Sequence, residues 1–510
     1  MRKEFASRFH QHQPQFRKLG MDGPAFEKWF KAELEKNGEF GTLWIEYEQL
    51  YERYKEFFSR RFHHQGTGDW NLFKLFLENN LTLIRPGGRL SLLIPSSIQT
   101  DEGCRALRKL LVTRHTLEEL TSFENRGYET VENGKTVRKQ IFPDVDSRFK
   151  FGFLKVHKDV PTPHDHVFDG RFYLHDPAAV TSPPIKCSVA MMEKFSPLNI
   201  SLMEFRSASD YALCSKLRAE HQLLGELDYQ FRRELHMTGD SGFFKARGGR
   251  KLVVGELPLL EGKMIHQFDG QYSPAVSYVL EKEVREELLR KEVFRLVQFI
   301  REQAPDKFEG EPVPKKKAEL EKRLRKIFAD KGFKLQYECE RLAYREVANS
   351  TNERTLIAAL LKAKQCLAHT LMYLSPYQYE VDAKGRLSQT QLEDDEVFKL
   401  LCLLNSFVLN YYVRNKVSSH VSIFQLNELP IPKISPAQRK KLAASAAKLL
   451  KNPHDVAERA KLEVFIAREL YGLSAEDWRH LTGTFTFGGD SETKAELDEI
   501  IRQSHALWPK

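Results

Sequence analysis

The chain has 510 residues, of which 41% are hydrophobic and 29% charged. This length and composition suit two or three domains with hydrophobic cores and exclude a chain that is disordered along its whole length. No apolar run approaches the roughly 20 residues that cross a bilayer and the first residues contain no signal-peptide core, so we expect a cytoplasmic protein. Six scattered cysteines without a Cys-x-x-Cys pair argue against a zinc site or a disulfide framework, and a net charge of +9 permits a nucleic-acid partner without requiring one.

Residues 1–68 are predicted to form helices, because their aromatic residues recur mostly at helical spacing. A further helix is predicted to follow Asp69, a capping residue, and to end at Pro86-Gly87-Gly88. Its apolar face is predicted from four residues: Leu72, Leu75, Phe76 and Leu83. The nearly continuous apolar run at residues 89–94 predicts a strand of a parallel sheet covered on both faces, and Pro95 ends it where open α/β sheets place ligands.

The pattern then continues to alternate between helix and strand. Three elements are predicted in order: a helix at residues 105–112 that Thr100 or Asp101 caps, a strand at residues 117–123, and a polar hairpin at residues 124–140. The alternation of Phe149, Phe151 and Phe153 predicts a half-covered edge strand after the hairpin. These elements favour part of a doubly wound α/β sheet.

Three early segments carry a resemblance to a known family. They are Lys3-Glu-Phe-Ala-Ser-Arg8, Gly66-Thr-Gly-Asp-Trp-Asn71, and residues 75–97, which end in Leu83-Ile-Arg-Pro-Gly-Gly-Arg-Leu-Ser-Leu-Leu-Ile-Pro-Ser-Ser97. They resemble segments of adenine-specific DNA methyltransferases of the type IIG restriction-modification, BREX and DISARM kind. A Pro-Gly-Gly turn before a buried strand also occurs in many other Rossmann-like enzymes, so this stretch alone leaves the family open.

Phe142 is the candidate base-stacking residue. Ile141-Phe142-Pro143 resembles the Phe-Pro motif of the same methylases, which implies that Phe142 stacks on an extruded adenine. An enzyme that modifies the amino group of a paired base must take that base out of the stack, and a flat apolar side chain offers it a place. The alternative is that Phe142 is a core residue before a proline turn.

The sequence contains neither a Phe-x-Gly-x-Gly loop, which holds S-adenosylmethionine in this family, nor an Asn-Pro-Pro-aromatic catalytic motif. Ser182-Pro183-Pro184-Ile185 matches that motif only in part, because Ile185 lacks an aromatic face. We therefore expect no catalytic, cofactor-binding or metal-binding residue in this chain, although the resemblance implies S-adenosylmethionine as the cofactor of the family. The chain is expected to begin just after the catalytic motif, as a fragment, a split gene product or a decayed copy. Its expected partners are an N-terminal methyltransferase half or other defence-system subunits.

Four later segments resemble the target-recognition part of the same methylases: residues 232–241, 257–269, 341–357 and 403–414. They extend the resemblance towards the C-terminus and imply double-stranded DNA as a partner. Cationic, imidazole and amide side chains suit phosphates and base edges, and thirteen are predicted to bind DNA: Arg148, Lys150, Arg232, Arg233, His236, Lys263, His266, Gln267, Arg345, Asn349, Arg354, Arg414 and Lys416. For each of them a structural or solvated role is the alternative, and Glu261 and Asp269 could form local salt bridges with Lys263 and His266.

The predicted fold class is α/β: a partial Rossmann-like class I methyltransferase sheet, then a mixed α+β target-recognition domain, then C-terminal helices. The predicted domains are a helical insertion (1–68), the C-terminal half of the methyltransferase domain (69–165), the target-recognition domain (166–435, with a charged helical insertion at about 302–332) and the C-terminal helices (436–510). Residues 164–182 are predicted to be a connecting loop, and residues 396–416 one long amphipathic helix.

The predicted function is target recognition and base-flip support within a site-specific DNA N6-adenine methyltransferase of a restriction-modification or phage-defence system. Alone, the chain is expected to be inactive. The alternative is a DNA-specificity module without catalysis that works with a separate catalytic or nuclease partner.

Overall fold

The computed structural model describes residues 2–9, 23–66, 70–132, 134–147, 149–161, 165–348, 352–417, 420–486 and 491–509. Its helices are α1 (Arg2–Phe9), α2 (Gly23–Lys36), α3 (Gly38–Arg61), α4 (Leu72–Leu83), α5 (Ser97–Thr100), α6 (Arg105–Thr113), α7 (Val189–Phe195), α8 (Ala208–Ala219), α9 (Glu281–Gln303), α10 (Lys317–Asp330), α11 (Asp394–Asn405), α12 (Phe407–Arg414), α13 (Ile423–Asn427), α14 (Pro436–Lys451), α15 (Val456–Val464), α16 (Ala475–Gly483) and α17 (Glu492–Leu507).

The strands of the described residues form one five-stranded sheet and several smaller sheets and hairpins. They are β1 (Arg89–Pro95), β2 (Thr116–Glu124), β3 (Tyr128–Glu132), β4 (Lys135–Lys139), β5 (Lys150–His157), β6 (Val167–Leu174), β7 (Ile185–Ser188), β8 (Gln222–Leu223), β9 (Phe231–Arg233), β10 (Lys245–Ala246), β11 (Glu256–Leu260), β12 (Ser277–Leu280), β13 (Lys307–Phe308), β14 (Glu311–Pro312), β15 (Arg341–Arg345), β16 (Ala358–Leu361), β17 (Cys366–Leu367), β18 (Leu371–Leu374), β19 (Tyr377–Val381), β20 (Leu387–Gln391) and β21 (Pro430–Ile431).

The N-terminal helices α1 to α3 confirm the helical prediction for the described residues of this region. Their aromatic residues form a small separate core, in which the rings of Phe30 and Trp44 meet edge to face at 5.0 Å. Helix α3 begins because the side chain of Asn37 accepts a hydrogen bond from Phe40 N at 3.1 Å. The aromatic spacing thus indicated core packing correctly.

Helix α4 exists where it was predicted, but a different face is buried. Its N-cap is Asn71, and the predicted cap Asp69 lies outside the described residues. Three leucines of this helix are buried: Leu75, Leu77 and Leu81. Leu77 and Leu81 belong to the same core as Leu90 of β1. Three residues of the predicted face are exposed instead: Leu72, Phe76 and Leu83. The helix is apolar around most of its circumference, so periodicity alone did not identify the buried side.

The five-stranded sheet has the order β1-β5-β2-β6-β7. Strand β1 lies at its edge and pairs antiparallel with β5, so that Leu90 is opposite Val156. The prediction of a parallel strand covered on both faces is therefore wrong for β1, whose Leu93 is 53% exposed. The predicted edge strand is interior instead, because β5 lies between β1 and β2 and buries Leu154 and Val156. Alternation along one strand does not reveal its neighbours.

The sheet also continues past the predicted domain boundary at residue 165. Strand β6 pairs parallel with β2 and antiparallel with β7, within the region predicted to be a connecting loop. Phe168 and Phe172 of β6 are buried. Gly170 between them has no room for a side chain, since a Cβ there would lie 2.7 Å from Cys187 Sγ. The prediction of a connecting loop is therefore wrong here, because the Pro- and Asp-rich residues around this strand are typical of loops.

The middle of the chain contains two four-stranded sheets, β16-β15-β18-β9 and β10-β12-β11-β17. The predicted charged insertion includes the β13–β14 hairpin and α10, which packs on α9. In the first of these sheets Arg341 is 1% exposed, and its Nη2 donates to both carboxylate oxygens of Glu234 at 3.1 Å. This ion pair joins β15 to the chain just after β9.

The predicted long helix at residues 396–416 is two helices, α11 and α12, bent by 57°. The break is at Ser406, whose backbone is extended and whose hydroxyl accepts from Leu409 N at 3.2 Å. Within the described residues no single helix is long and apolar enough to cross a membrane, and α11 with α12 passes that test only as a bent pair. Ser435 is the N-cap of helix α14, and its Oγ accepts a hydrogen bond from Gln438 N.

Candidate nucleic-acid interface

Phe142 lies in the turn between the β3–β4 hairpin and β5, at one end of the five-stranded sheet. It is half-buried, so it is neither a fully enclosed core residue nor a free side chain. Its ring meets the ring of Phe151 edge to face at 4.8 Å, and Phe151 stacks on Phe123 at 5.2 Å. A small aromatic shelf thus supports Phe142 from the sheet side.

Asn125, which follows β2, fixes the backbone of this turn. Its Oδ1 accepts from Phe142 N at 3.0 Å, and its Nδ2 donates to the carbonyl oxygens of Phe142 and Val145, both at 2.8 Å. Its own backbone N–H donates to Phe149 O at 3.1 Å. Asn125 is fully buried. A single amide side chain therefore sets the position from which the Phe142 ring projects.

The polar groups beside this shelf are paired with one another. Lys150 forms an ion pair with the buried Glu204, and Ser122 Oγ donates to Glu204 Oε1 at 3.1 Å. Lys150 Nζ also lies 4.3 Å from the ring centre of Tyr173. The guanidinium of Arg206 lies 3.7 Å from the same ring. Lys150, one of the predicted DNA contacts, thus has internal partners that occupy its ammonium group.

Among the described residues, the five-stranded sheet has no turn suited to bind S-adenosylmethionine. The resemblance implies that a glycine-rich loop holds this cofactor. Strand β1 instead leads into α5 through Pro95 and Ser96, and Gly127 after β2 belongs to the turn that enters the β3–β4 hairpin. We therefore assign no step of methyl transfer to this chain's residues.

Two predicted DNA contacts are arginines inside the fold. Arg414 is 6% exposed, donates to Glu353 O at 2.6 Å and rests on the ring of Phe485 at 4.0 Å. Arg354 is 4% exposed and rests on the ring of Phe407 at 3.6 Å. Burial lowers the pKa of each guanidinium to about 9. Their burial argues against direct contact with DNA in this conformation.

Three other predicted contacts are also held internally. Lys416 Nζ is paired with Glu428 at 2.6 Å and donates to Phe195 O at 2.7 Å. Gln267 is 1% exposed and its Nε2 donates to Asn405 O at 2.9 Å. Arg232 is paired with the buried Glu292 at 3.0 Å, so its charge is compensated inside the protein.

The accessible predicted contacts lie on neighbouring segments. His236 is exposed, the Arg233 side chain is 39% exposed beside Glu346 at 2.8 Å, and the Lys263 side chain is 67% exposed beside Glu261 at 3.3 Å. We call Arg233, His236 and Lys263, together with His369, the recognition surface. Two predicted contacts, Arg148 and Asn349, lie outside the described residues.

The hydrogen bonds of Thr370 bring these segments together. Its hydroxyl accepts from Gly262 N at 2.8 Å, and its carbonyl accepts from Glu346 N at 3.0 Å. The ring of His369 lies 5.7 Å from that of His236. Sequence reasoning missed His369, because it is a lone histidine outside the four family-like segments.

His266 and Arg345 are half-buried at the base of this region. Arg345 Nε donates to Ile265 O at 3.1 Å, which fixes the guanidinium against the backbone. Burial, reinforced by the nearby charge of Arg345, lowers the pKa of His266 to about 3. His266 is therefore neutral near pH 7 and contributes no charge to a phosphate contact.

Comparison with known families identifies part of the chain. Residues 44–128, from the second turn of α3 to the first residue of β3, match the Eco57I restriction-modification methylases. The resemblance to restriction-modification methylases is confirmed. The match covers the region that contains α4, β1, α6 and β2, and it ends before Phe142 and the recognition surface. No curated protein matches the chain.

Solved structures of restriction enzymes are similar to this chain over most of its length. One is the type IIG restriction endonuclease BpuSI, with 12% sequence identity and a TM-score of 0.32, over 87% of this chain and 50% of that one. Another is the type IIL restriction-modification enzyme MmeI in complex with DNA, with 10% identity and a TM-score of 0.40, over 89% of this chain and 52% of that one. The chain spans about half the length of each.

Proposed function

We propose that this chain recognises a DNA target and supports base extrusion within a site-specific DNA N6-adenine methyltransferase of a restriction-modification or phage-defence system. The observation that carries the proposal is Phe142, an aromatic ring on a clamped turn at one end of the sheet. The family match of residues 44–128 supports a methylase setting for that sheet. An extruded adenine requires a flat apolar partner, and Phe142 is the candidate.

The recognition surface is the proposed site of DNA contact. Arg233 and Lys263 offer positive charge to phosphates, whereas His236 and His369 offer imidazole groups to either phosphates or base edges. The glutamates beside Arg233 and Lys263 do not enclose these cations, so each retains donors for a phosphate. The buried cations Arg354, Arg414 and Lys416 are proposed to stabilise the fold instead.

Cofactor binding and methyl transfer are proposed to come from a methyltransferase polypeptide outside this sequence. That polypeptide would supply the glycine-rich loop for S-adenosylmethionine and the Asn-Pro-Pro-aromatic motif, neither of which occurs here. In this arrangement Phe142 would hold the base while the catalytic segment acts on its amino group.

The first experiment measures binding of the full chain to a pool of duplex DNA by fluorescence anisotropy. We expect affinity to fall steeply between about 50 mM and about 200 mM salt, as phosphate neutralisation requires. Sequencing of the bound duplexes then identifies a preferred site, and 2-aminopurine at its adenines reports unstacking. Affinity that does not change with salt would contradict a DNA role.

The alternative function is a DNA-specificity module without catalysis, favoured by the lack of a cofactor turn among the described residues. Both functions predict DNA binding, but only the methylase function predicts an unstacked adenine at the preferred site. A site that is bound with all bases stacked, also after addition of a catalytic partner, would favour the specificity module.

A further inference from the structure

The loop that follows β10 and runs into the first residue of β11, residues 247–256, is built from two tight turns. In the first, Arg250 N donates to Arg247 O at 3.3 Å across two glycines with positive φ, Gly248 at 60° and Gly249 at 76°. In the second, Glu256 N donates to Val253 O at 3.0 Å. Gly255, with φ of 86°, occupies the third position of this turn, which requires a positive φ.

One carboxylate holds the two turns together. Glu256 accepts from both terminal nitrogens of Arg250 at 2.7 Å, and from Val253 N at 3.0 Å. The Arg250 guanidinium also lies 4.6 Å from the ring centre of Tyr278 in β12. Outside the loop, Glu281 N donates to Gly255 O at 2.9 Å. The loop therefore has a defined shape before anything binds to it.

This ordered loop presents an apolar tip to solvent. The relative exposure of Val254 is 105% and that of Val253 is 61%. Loop tips are usually small or polar, and two exposed β-branched residues on a clamped turn gain nothing from their own fold. Their positions suit a partner that takes up an apolar side chain.

The charge of the loop indicates the kind of partner. Three cations lie within the loop: Arg247, Arg250 and Lys251. Lys245 of β10 precedes it and is paired with Glu283 at 3.6 Å. Glu256 is the only acidic residue of the loop, and Arg250 compensates it. Lys251 is exposed beside the valines. A basic loop with an apolar tip complements the phosphates and stacked bases of duplex DNA better than an apolar protein groove.

We propose that Val254 acts as a wedge that enters the minor groove of the DNA target, with Lys251 contacting an adjacent phosphate. The inference rests on the proposed DNA-recognition function and adds a contact element outside the recognition surface. Apolar side chains inserted at a base step partly unstack it and kink the duplex. Such a kink would also ease extrusion of a nearby base, since unstacking contributes to its cost.

The test compares Val254→Asn with a matched control, Val131→Asn. Val131 is 71% exposed on the β3–β4 hairpin, so the same apolar group is removed elsewhere. Each variant is measured for affinity to the preferred duplex by anisotropy, for duplex bending by end-to-end energy transfer, and for thermal unfolding. We expect Val254→Asn to lower affinity about 10-fold and to reduce bending, at an unchanged melting temperature. Val131→Asn should bind and bend the duplex like the wild type.

A second pair tests the charge. Lys251→Ala should reduce the slope of log affinity against log salt by about 0.9, whereas Lys316→Ala, a control whose side chain is 82% exposed, should leave it unchanged. Wild-type affinity and bending in Val254→Asn would overturn the wedge while leaving the proposed function intact. A wild-type chain that binds no duplex DNA would overturn both. If Val254→Asn binds DNA like the wild type but no longer binds anionic lipid vesicles that the wild type binds, the loop contacts a membrane surface instead.

Discussion

Asn125 holds the main chain at Phe142 from both sides: its Oδ1 accepts from Phe142 N at 3.0 Å while its Nδ2 donates to Phe142 O at 2.8 Å. The ring that we propose to stack on adenine is thereby placed by a residue that never touches the base. Such a residue acts by positioning, and its role separates experimentally from that of the ring itself.

Phe142→Ala tests the ring. The substitution should remove about 1 to 3 kcal/mol of base stacking, which appears as a loss of 2-aminopurine unstacking at the preferred site. Because Phe142 is half-buried, folding stability should fall by less than the about 3 to 5 kcal/mol typical of a core phenylalanine. A strongly destabilised variant would place Phe142 in the core, and a stable variant with normal unstacking would rule out its stacking role.

Asn125→Asp tests the clamp. A carboxylate oxygen would replace the Nδ2 donor and face the carbonyl oxygens of Phe142 and Val145, so the turn should be displaced. We expect loss of unstacking similar to that of Phe142→Ala, together with about 1 to 3 kcal/mol of lost stability. Affinity for the recognition site should change much less than unstacking. If Phe142→Ala abolishes unstacking but Asn125→Asp leaves it normal, the positioning role is wrong.

Lys263→Ala and Lys416→Ala should separate surface cations from buried ones. Lys263 is exposed, so its loss should reduce the salt slope of DNA binding by about 0.9 without changing thermal stability. Loss of Lys416 leaves the buried Glu428 without its ion-pair partner, which should destabilise the fold by about 3 to 5 kcal/mol. If Lys416→Ala keeps its stability but changes the salt slope of DNA binding, Lys416 is a DNA contact after all.

Glu234→Ala should show that the ion pair with Arg341 holds the middle sheets together. Without Glu234 the fully buried guanidinium loses its counter-charge, and Leu367 N loses an acceptor. We expect a loss of about 3 to 5 kcal/mol in the free energy of unfolding, measured by urea denaturation. The double variant Glu234→Leu with Arg341→Met should recover part of this stability. Equal stabilities of wild type and Glu234→Ala would contradict the role of the pair.

His266 makes folding stability depend on pH below neutrality. Burial lowers its pKa to about 3 in the folded chain, whereas an unfolded histidine titrates near 6.5. Below about 6.5 the unfolded state therefore binds a proton that the folded state does not, and stability falls by up to about 1.4 kcal/mol per pH unit towards pH 3. Above about pH 6.5 neither state binds this proton, and His266 then causes no loss of folding stability. His266→Gln should show a shallower decline of the urea midpoint between pH 6.5 and 4.5 than the wild type, and parallel curves would disprove it.

The sequence by itself determined the residue types that mark the family and most of the local structure. The helices of the N-terminal region, the strand β2 and the β3–β4 hairpin follow from short-range periodicity and turn chemistry, and all three were predicted. The family resemblance rested on adjacent residues, such as Pro86-Gly87-Gly88, and needed no knowledge of contacts. Local signals of this kind act over a few residues, so the sequence shows them directly.

Only the tertiary structure decided which strands are neighbours and which charged groups remain accessible. Strand β5 inserts between β1 and β2, which places an apolar strand at the sheet edge, and no pattern within β1 encodes that neighbour. Arg414 and Arg233 look equally suited to DNA in the sequence, yet one is enclosed beneath Phe485 and the other projects beside Glu346. Burial depends on contacts between residues distant in the chain, and for that reason the residue type alone did not separate the stabilising cations from those offered to DNA.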